Sequence, residues 1–247
     1  MVGPKKGRNR VRQARRRLHT ARDMTSARWI ESAILEGERV VLRPVHPDDG
    51  ATAFRCIHGR RSILRWLLWG GPRSVEELEE SFDCWRNPEG DETERGEYLF
   101  AIVDRARREF LGTIGLRFTD HPRMADIGYW LAEHVWNRGY ATEAIRLATW
   151  FAFRHLRADS MCAWVFLGND ASRRVLEKNG FHLVRTVYDK VERDGKKRDE
   201  WYFVLLRQEW DAAVGEWAPA AEEVRSEKGN RAEGRGIPDR PGGPRRP

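Results

Sequence analysis

The stretch Ile127-Gly128-Tyr129-Trp130-Leu131-Ala132-Glu133-His134-Val135-Trp136-Asn137-Arg138-Gly139-Tyr140-Ala141-Thr142-Glu143-Ala144 holds the pattern on which the fold turns. Its first part is predicted as the end of a strand over 125–131. A short loop follows, and Arg138-Gly139-Tyr140-Ala141 opens a helix predicted from Gly139 to about Phe153. The first turn of a helix leaves N–H groups unpaired and carries partial positive charge. Small residues at Gly139 and Ala141 let a ligand come close to the backbone. Arg138 adds a fixed positive charge, and together these features suit a pyrophosphate. Glu143 fits the helix dipole without touching any ligand. Glycine at a helix start is common in purely structural roles, so the turn alone does not define a site.

Outward from this stretch, hydrophobic periods alternate. Residues 39–43 alternate charge with Val and Leu, as a strand does. A helix is predicted from Pro47 through about Ile57, and another from Ser74 to about Trp85, with Ser74 as N-cap and Glu77 as its capping-box partner. Residues 87–96 are polar and loop-like. Strands are predicted over 98–103, 110–118 and 125–131, forming a meander. Downstream of the long helix come a strand over 160–166 and a short helix over 170–179 closed by Gly180. Residues 182–192 and 198–206 pair as a hairpin across Asp194-Gly195. The order β-α-α-β-β-β-α-β-α-β-β describes one α/β domain with a mixed sheet.

The net charge of +7 in 247 residues is not spread evenly. Residues 1–23 hold nine Lys/Arg and one acid, and residues 218–247 hold seven Arg/Lys and five acids. The stretch between them is therefore net acidic, which argues against a nucleic-acid-binding domain. The first segment reads as a nucleic-acid- or ribosome-binding arm, as a solvated tail, or as sequence preceding an initiator at Met24. The Ala/Glu/Arg/Gly/Pro-rich end cannot build a core. Cys56, Cys84 and Cys162 are widely spaced and suggest neither a disulfide frame nor a zinc site, so no metal is expected. Cys162 lies in a strand pattern and reads as core. No apolar run is long enough to span a membrane and no secretory h-region follows the basic start, so a cytoplasmic protein is expected.

The central stretch resembles the acyl-CoA pyrophosphate loop of the GNAT superfamily, whose pattern is Gln/Arg-x-x-Gly-x-Gly/Ala. Trp136 stands at the first position, and Trp-x-x-Gly-Tyr-Ala-Thr-Glu-Ala is the form familiar in the branch of ribosomal-protein N-terminal acetyltransferases. Other pieces resemble that branch in order: Glu38-Arg-Val-Val-Leu-Arg-Pro, Leu111-Gly-Thr-Ile-Gly-Leu, the run from Asn169 to Phe181, Asp199-Glu-Trp-Tyr-Phe and Glu209-Trp210. The resemblance covers about 36–210, and 58–96, which shapes the acceptor pocket in this family, matches only loosely. It implies a GNAT-type mixed, mostly antiparallel sheet flanked by helices. A basic, disordered extension is expected over 1–28, the N-acetyltransferase domain over 29–213, and a disordered tail over 214–247.

The resemblance also implies a direct transfer of acetyl from acetyl-CoA to a primary amine. Ile127, Tyr129, Trp130, Leu131, Arg138, Gly139, Tyr140, Ala141, Thr142, Asn169 and Ser172 are the implied contacts to the co-substrate. Ser172 would lie near the thioester sulfur and donate to the leaving thiolate, and a backbone N–H at about Gly128–Trp130 would hold the oxyanion. Capping of the short helix is the plainer role for Asn169. Asp126 is the candidate base, acting through water, with a solvated strand-edge acid as its plainer reading. His134 reads as an exposed loop residue. Tyr129, Trp130 and Trp136 either line the acceptor pocket or belong to the core. The acceptor is a protein N-terminus or a small amine. The competing functions are a CoA-binding sensor without catalysis and a nucleic-acid- or ribosome-binding protein acting through its basic arm.

Overall fold

The computed structural model describes residues 30–86, 97–119, 121, 123–193, 195–214 and 217–226. The basic arm, the loop over 87–96, Asp194 of the hairpin turn and the chain beyond Ser226 lie outside the described residues. Nine strands form one sheet in the order β7-β8-β6-β5-β4-β3-β2-β1-β9. They are β1 (Ile30–Glu36), β2 (Val40–Pro44), β3 (Glu97–Asp104), β4 (Phe110–Phe118), β5 (Met124–Leu131), β6 (Ser160–Phe166), β7 (His182–Arg193), β8 (Lys196–Leu206) and β9 (Ala221–Ser226). Every neighbouring pair is antiparallel except β5 and β6.

A parallel pair needs a long crossover. Here it is α4 (Tyr140–Arg154), reached through a short 3-10 turn at Glu133–Val135. Nine residues of α4 are buried, among them Ile145, Leu147, Phe151 and Phe153. Phe151 is fully buried, with the rings of Tyr98 and Phe100 edge-on at 5.4 and 5.3 Å. α5 (Asp170–Lys178) and α6 (Arg207–Val214) share this face through Leu176 and Trp210. The opposite face is covered over β2–β4 by α1 (Gly50–Ile57) and α3 (Val75–Arg86), which add Ala53, Leu78 and Phe82 to a second, smaller core. Between them lies the short α2 (Arg61–Leu64). No helix among the described residues is long and apolar enough to cross a membrane.

The predicted elements are all present, and the differences have local causes. Ser74 Oγ accepts the N–H of Glu77 at 3.2 Å, as a cap should. The Glu77 carboxylate, however, turns one residue further back and accepts from Arg73 N–H and Nε. Two strands at one end of the sheet, β1 and β9, escaped the sequence reading, and β9 corrects it. The stretch 214–247 was expected to lack structure, yet Ala221–Ser226 pairs along β1 and Ala220 donates its N–H to Glu36 O at 2.6 Å. Ala221, Glu222 and Glu223 are exposed, so a backbone ladder holds β9, which hydropathy does not reveal.

Candidate active site

β5 and β6 pair for only three residues, Met124↔Ser160, Ala125↔Met161 and Asp126↔Cys162. Beyond that point β5 stays paired with β4 as far as Leu131, and β6 stays paired with β8 as far as Phe166. A gap therefore opens between the carboxyl ends of the two parallel strands. A bulge in β4 lies at the same level, because Ile102 faces Gly112 while Val103 faces Phe110. Bulges sharpen local twist. Gly112 makes it possible, since a Cβ there would lie 2.1 Å from Trp130 O.

Backbone alternation shows what faces the gap. Ala132 donates its N–H to Leu111 O at 2.7 Å, on the β4 side. With a period of two, Trp130 and Gly128 also turn their backbone groups to β4, whereas Tyr129 and Leu131 turn theirs to the gap. The Leu131 carbonyl is taken by the indole N–H of Trp136 at 2.8 Å. The N–H of Tyr129 is left facing the opening. Of the residues expected around the oxyanion, the register thus singles out Tyr129.

The side chain of Tyr129 crosses the gap. Its hydroxyl lies 2.9 Å from Ser172 Oγ on the first turn of α5. Burial pushes the Tyr129 phenol up to about 12, opposed by the Ser172 hydrogen bond. Asn169 caps α5, its Oδ1 accepting Ser172 N–H at 3.3 Å. Both strand lips thus meet in a Tyr–Ser pair at the mouth of the gap.

At the near end stands the turn into α4. The chain is left-handed at Asn137 (φ 59°) and again at Gly139 (φ 87°), the N-cap. A Cβ on Gly139 would approach Arg39 Nη1 to 3.3 Å. Arg39 donates to Arg138 O at 2.8 Å, so two guanidinium groups flank the turn. Glu143 accepts the N–H groups of Arg39 and Val40 and ties the helix to the β1–β2 turn. Tyr140 donates to Asp104 Oδ2 at 2.5 Å, and that bond, before the N–H of Arg107, holds the Asp104 carboxyl below its usual range. Ala141 and Thr142 complete the exposed helix start, whose first N–H groups have no intrahelical acceptor.

The remaining predicted residues divide by face. Ile127 and Leu131 are buried in the main core with α4. Trp130 points the other way and packs on Phe110, ring centroids 6.0 Å apart. Asp126 shares that second face, at the closed end of the gap, paired with Arg117 at 3.2 Å. Burial raises its carboxyl, with Arg117 opposing. Asp126 and Ser172 therefore lie on opposite sides of the sheet. Cys162 is buried core, its thiol pushed up to about 12 by burial. His134 is exposed and lies 3.4 Å from Glu109. Sequence reasoning missed Arg39 as a partner of the turn; its place two residues after Gly37 gave the only signal.

A splayed parallel pair with a long crossover helix whose bare N-terminus faces the opening defines a class of proteins that bind an acyl-CoA along the gap. A family model described as "Acetyltransferase (GNAT) domain" matches residues 39–182, and the chain belongs to that family. It is 30% identical over 175 residues to the N-acetyltransferase YoaA of Bacillus subtilis, covering 70% of this chain and 97% of that protein. It is 28% identical over 178 residues to YdaF of Bacillus subtilis, provisionally named a ribosomal N-acetyltransferase, covering 70% and 94%. Among solved structures it resembles Mycobacterium smegmatis RimJ in complex with CoA-disulfide, with 23% identity, a TM-score of 0.62 and coverage of 73% and 88%. Spermidine N-acetyltransferase from Vibrio cholerae in complex with CoA and spermine aligns at 19% identity, a TM-score of 0.61 and coverage of 70% and 99%. The protein is an acyl-CoA-dependent N-acetyltransferase of the GNAT family, with acetyl-CoA as co-substrate.

Proposed function

We propose that this enzyme acetylates the N-terminal α-amine of a protein, with the reaction centred on the Tyr129–Ser172 pair at the mouth of the gap. The 2.9 Å contact between those hydroxyls, beside a strand N–H facing the opening, is the observation that carries the reading. The pyrophosphate lies against the first turn of α4, with Arg138 and Arg39 balancing its charge and Gly139, Tyr140, Ala141 and Thr142 lending their N–H groups. The pantetheine arm follows β5 over Ile127–Leu131, and Asn169 lies alongside it while capping α5. The amine lone pair attacks the thioester carbon, and Tyr129 N–H holds the oxyanion. The C–S bond then breaks, and Ser172, hydrogen-bonded to the neutral Tyr129 phenol, donates toward the thiolate.

The acceptor's own chemistry supports an α-amine. An amine of pKa ~7.8 is about one-sixth neutral at pH ~7.1, whereas a lysine-type amine of pKa ~10.4 is neutral to only about one part in 2,000. Among the described residues the site holds the carboxylates of Asp126, paired with Arg117, and of Glu200. Asp126 faces the acceptor side, where it orders water with Arg117. Within this reading the acetyltransferase domain, expected over 29–213, extends to β9. The nine basic residues of 1–23 are the part of the chain suited to contact ribosomal RNA.

The test is incubation of the purified chain and acetyl-CoA with unblocked peptides, with peptides blocked at the N-terminus but carrying lysine, and with a polyamine. Thiol release and intact mass are followed. Acetylation confined to unblocked N-termini is expected. Preference for lysine or for the polyamine overturns the reading. Acetyl-CoA binding with no turnover on any amine favours a sensor.

A further inference from the structure

We propose that Glu200 receives the acceptor's ammonium group and accepts its proton, which restricts the acceptor to a single positive charge at that point. This rests on the α-amine reading above. Glu200 lies on β8, in register with Phe166 of β6 and Val187 of β7. Its neighbours Trp201 and Phe203 point into the main core, so Glu200 points to the other face, with Trp164 and Tyr202. That face is the one opposite α4 and α5, from which an amine can meet the thioester without crossing the co-substrate. Glu200 is one residue beyond the level of Tyr129 along the strands, on β8, with β6 between it and β5.

Glu200 is 4% exposed as a residue, and no hydrogen bond or close ion pair of its side chain is seen among the described residues. The sealed, unpaired side-chain polar atom among the described residues is Thr149 Oγ1, so the Glu200 carboxylate keeps an opening to the cleft, through which an ammonium can meet it. Burial raises its carboxyl above the usual range, with the charge of Lys190 opposing and that of Asp126 adding. Asp126, by contrast, is already neutralised by Arg117.

The cleft around Glu200 is roofed. Ser62 donates to Glu133 just after β5, and Arg193 of the β7–β8 hairpin donates to the carbonyls of Leu64 and Leu67. The Trp66 ring lies 4.0 Å from where a Cβ on Gly168 would sit, just after β6. Residues 62–67 thus span the mouth of the gap from β5 to β6 to the hairpin. Two aromatic faces in the cleft already carry cations, Lys190 over Trp164 at 4.6 Å and Arg185 over Tyr202 at 5.5 Å. They repel a polyamine and leave one carboxylate for one ammonium. The proton balance is simple. Glu200 takes the ammonium's proton and passes it to water, and the second N–H proton leaves as the C–S bond breaks. The products are the amide, the free thiol and one proton.

The experiment compares wild type, Glu200→Gln, Glu200→Asp and Asp126→Asn. It measures acetyl-CoA affinity by calorimetry and steady-state kinetics on an unblocked peptide and on spermidine. In Glu200→Gln, kcat/KM for the peptide should fall about 100-fold, acetyl-CoA affinity should stay within twofold, and Glu200→Asp should recover part of the loss. Asp126→Asn should cost less. A Glu200→Gln enzyme within threefold of wild type on the peptide overturns the role of Glu200 while leaving the α-amine reading intact. A wild type that prefers spermidine overturns the α-amine reading and the single-charge restriction, and a loss confined to Glu200→Gln would then still place Glu200 at the acceptor. Equal loss of acetyl-CoA binding in Glu200→Gln would assign it to the fold.

Discussion

The two sides of the gap are built in different ways. The co-substrate side uses backbone: the first turn of α4, the Tyr129 N–H and the capped start of α5. Each of these lies within a short run of sequence, 127–144 or 169–172. The acceptor side uses side chains gathered from far apart. Arg193 meets Leu64 and Leu67, Trp66 meets Gly168, and Glu200 stands among Trp164, Tyr202 and Lys190. A ligand common to many enzymes can be held by backbone geometry. A ligand that distinguishes one enzyme from another must be read by side chains on pieces free to vary. Variants on the first side should therefore alter acetyl-CoA binding or the breakdown of its thioester, and variants on the second should alter the amine alone.

The strongest challenge to that division is Gly139→Glu. The variant forces a side chain onto a left-handed φ of 87°, against Arg39, and puts a negative charge at the proposed pyrophosphate site. Acetyl-CoA affinity should drop at least 100-fold by calorimetry, about 3 kcal/mol, while the melting temperature falls only a few degrees. Retained affinity would place the pyrophosphate elsewhere. Next in size is the pair across the mouth. Ser172→Ala should lower kcat about 30-fold with acetyl-CoA affinity unchanged, because its hydroxyl acts when the thiolate forms. Unchanged kcat would remove Ser172 from the chemistry.

The same contrast explains how much was legible from sequence. Seven of the nine strands, the crossover helix, the turn at Gly139 and the Asn169 cap follow from local periods and propensities, and each appears where expected. The faces did not follow. Asp126 and Ser172 were both read as site residues without a side being assigned; a strand alternates its side chains, and the parity that puts Tyr129 on Ser172 puts Asp126 on the other side. The roof was not legible because 58–72 has no strong period, and its anchors lie from 71 to 129 residues away. β9 was missed because its exposed Glu222 and Glu223 read as tail although their backbone pairs with β1.

Alkaline stability offers a third test, confined to the co-substrate side. Tyr129 stays neutral in the folded protein up to about 12, whereas an unfolded tyrosine ionises near 10. A raised folded pKa contributes stability that is complete below pH ~10 and is lost as pH rises toward 12. That shift corresponds to about 3 kcal/mol for this group. Urea midpoints of wild type and Tyr129→Phe should therefore converge between those pH values, with wild type the steeper. Parallel curves would mean that Tyr129 is not held neutral across the gap. Cys162 titrates over a similar range, so the comparison is made in a background that retains it.

The smallest effect belongs to the roof, and it tests whether the acceptor side is separable. Arg193→Ala removes the donors to Leu64 and Leu67, which loosens residues 62–67 without touching α4, Tyr129 or Ser172. Exposed or half-exposed hydrogen bonds to carbonyls contribute about 1 kcal/mol, so KM for a peptide acceptor should rise about fivefold. Acetyl-CoA affinity and kcat at saturating peptide should hold, since the thioester is placed by β5 and α5. If kcat falls together with KM, the roof positions the reacting atoms as well as the acceptor, and the two sides act as one. If acetyl-CoA affinity falls instead, the roof covers the pantetheine arm, and the cleft around Glu200 would be an extension of the co-substrate site.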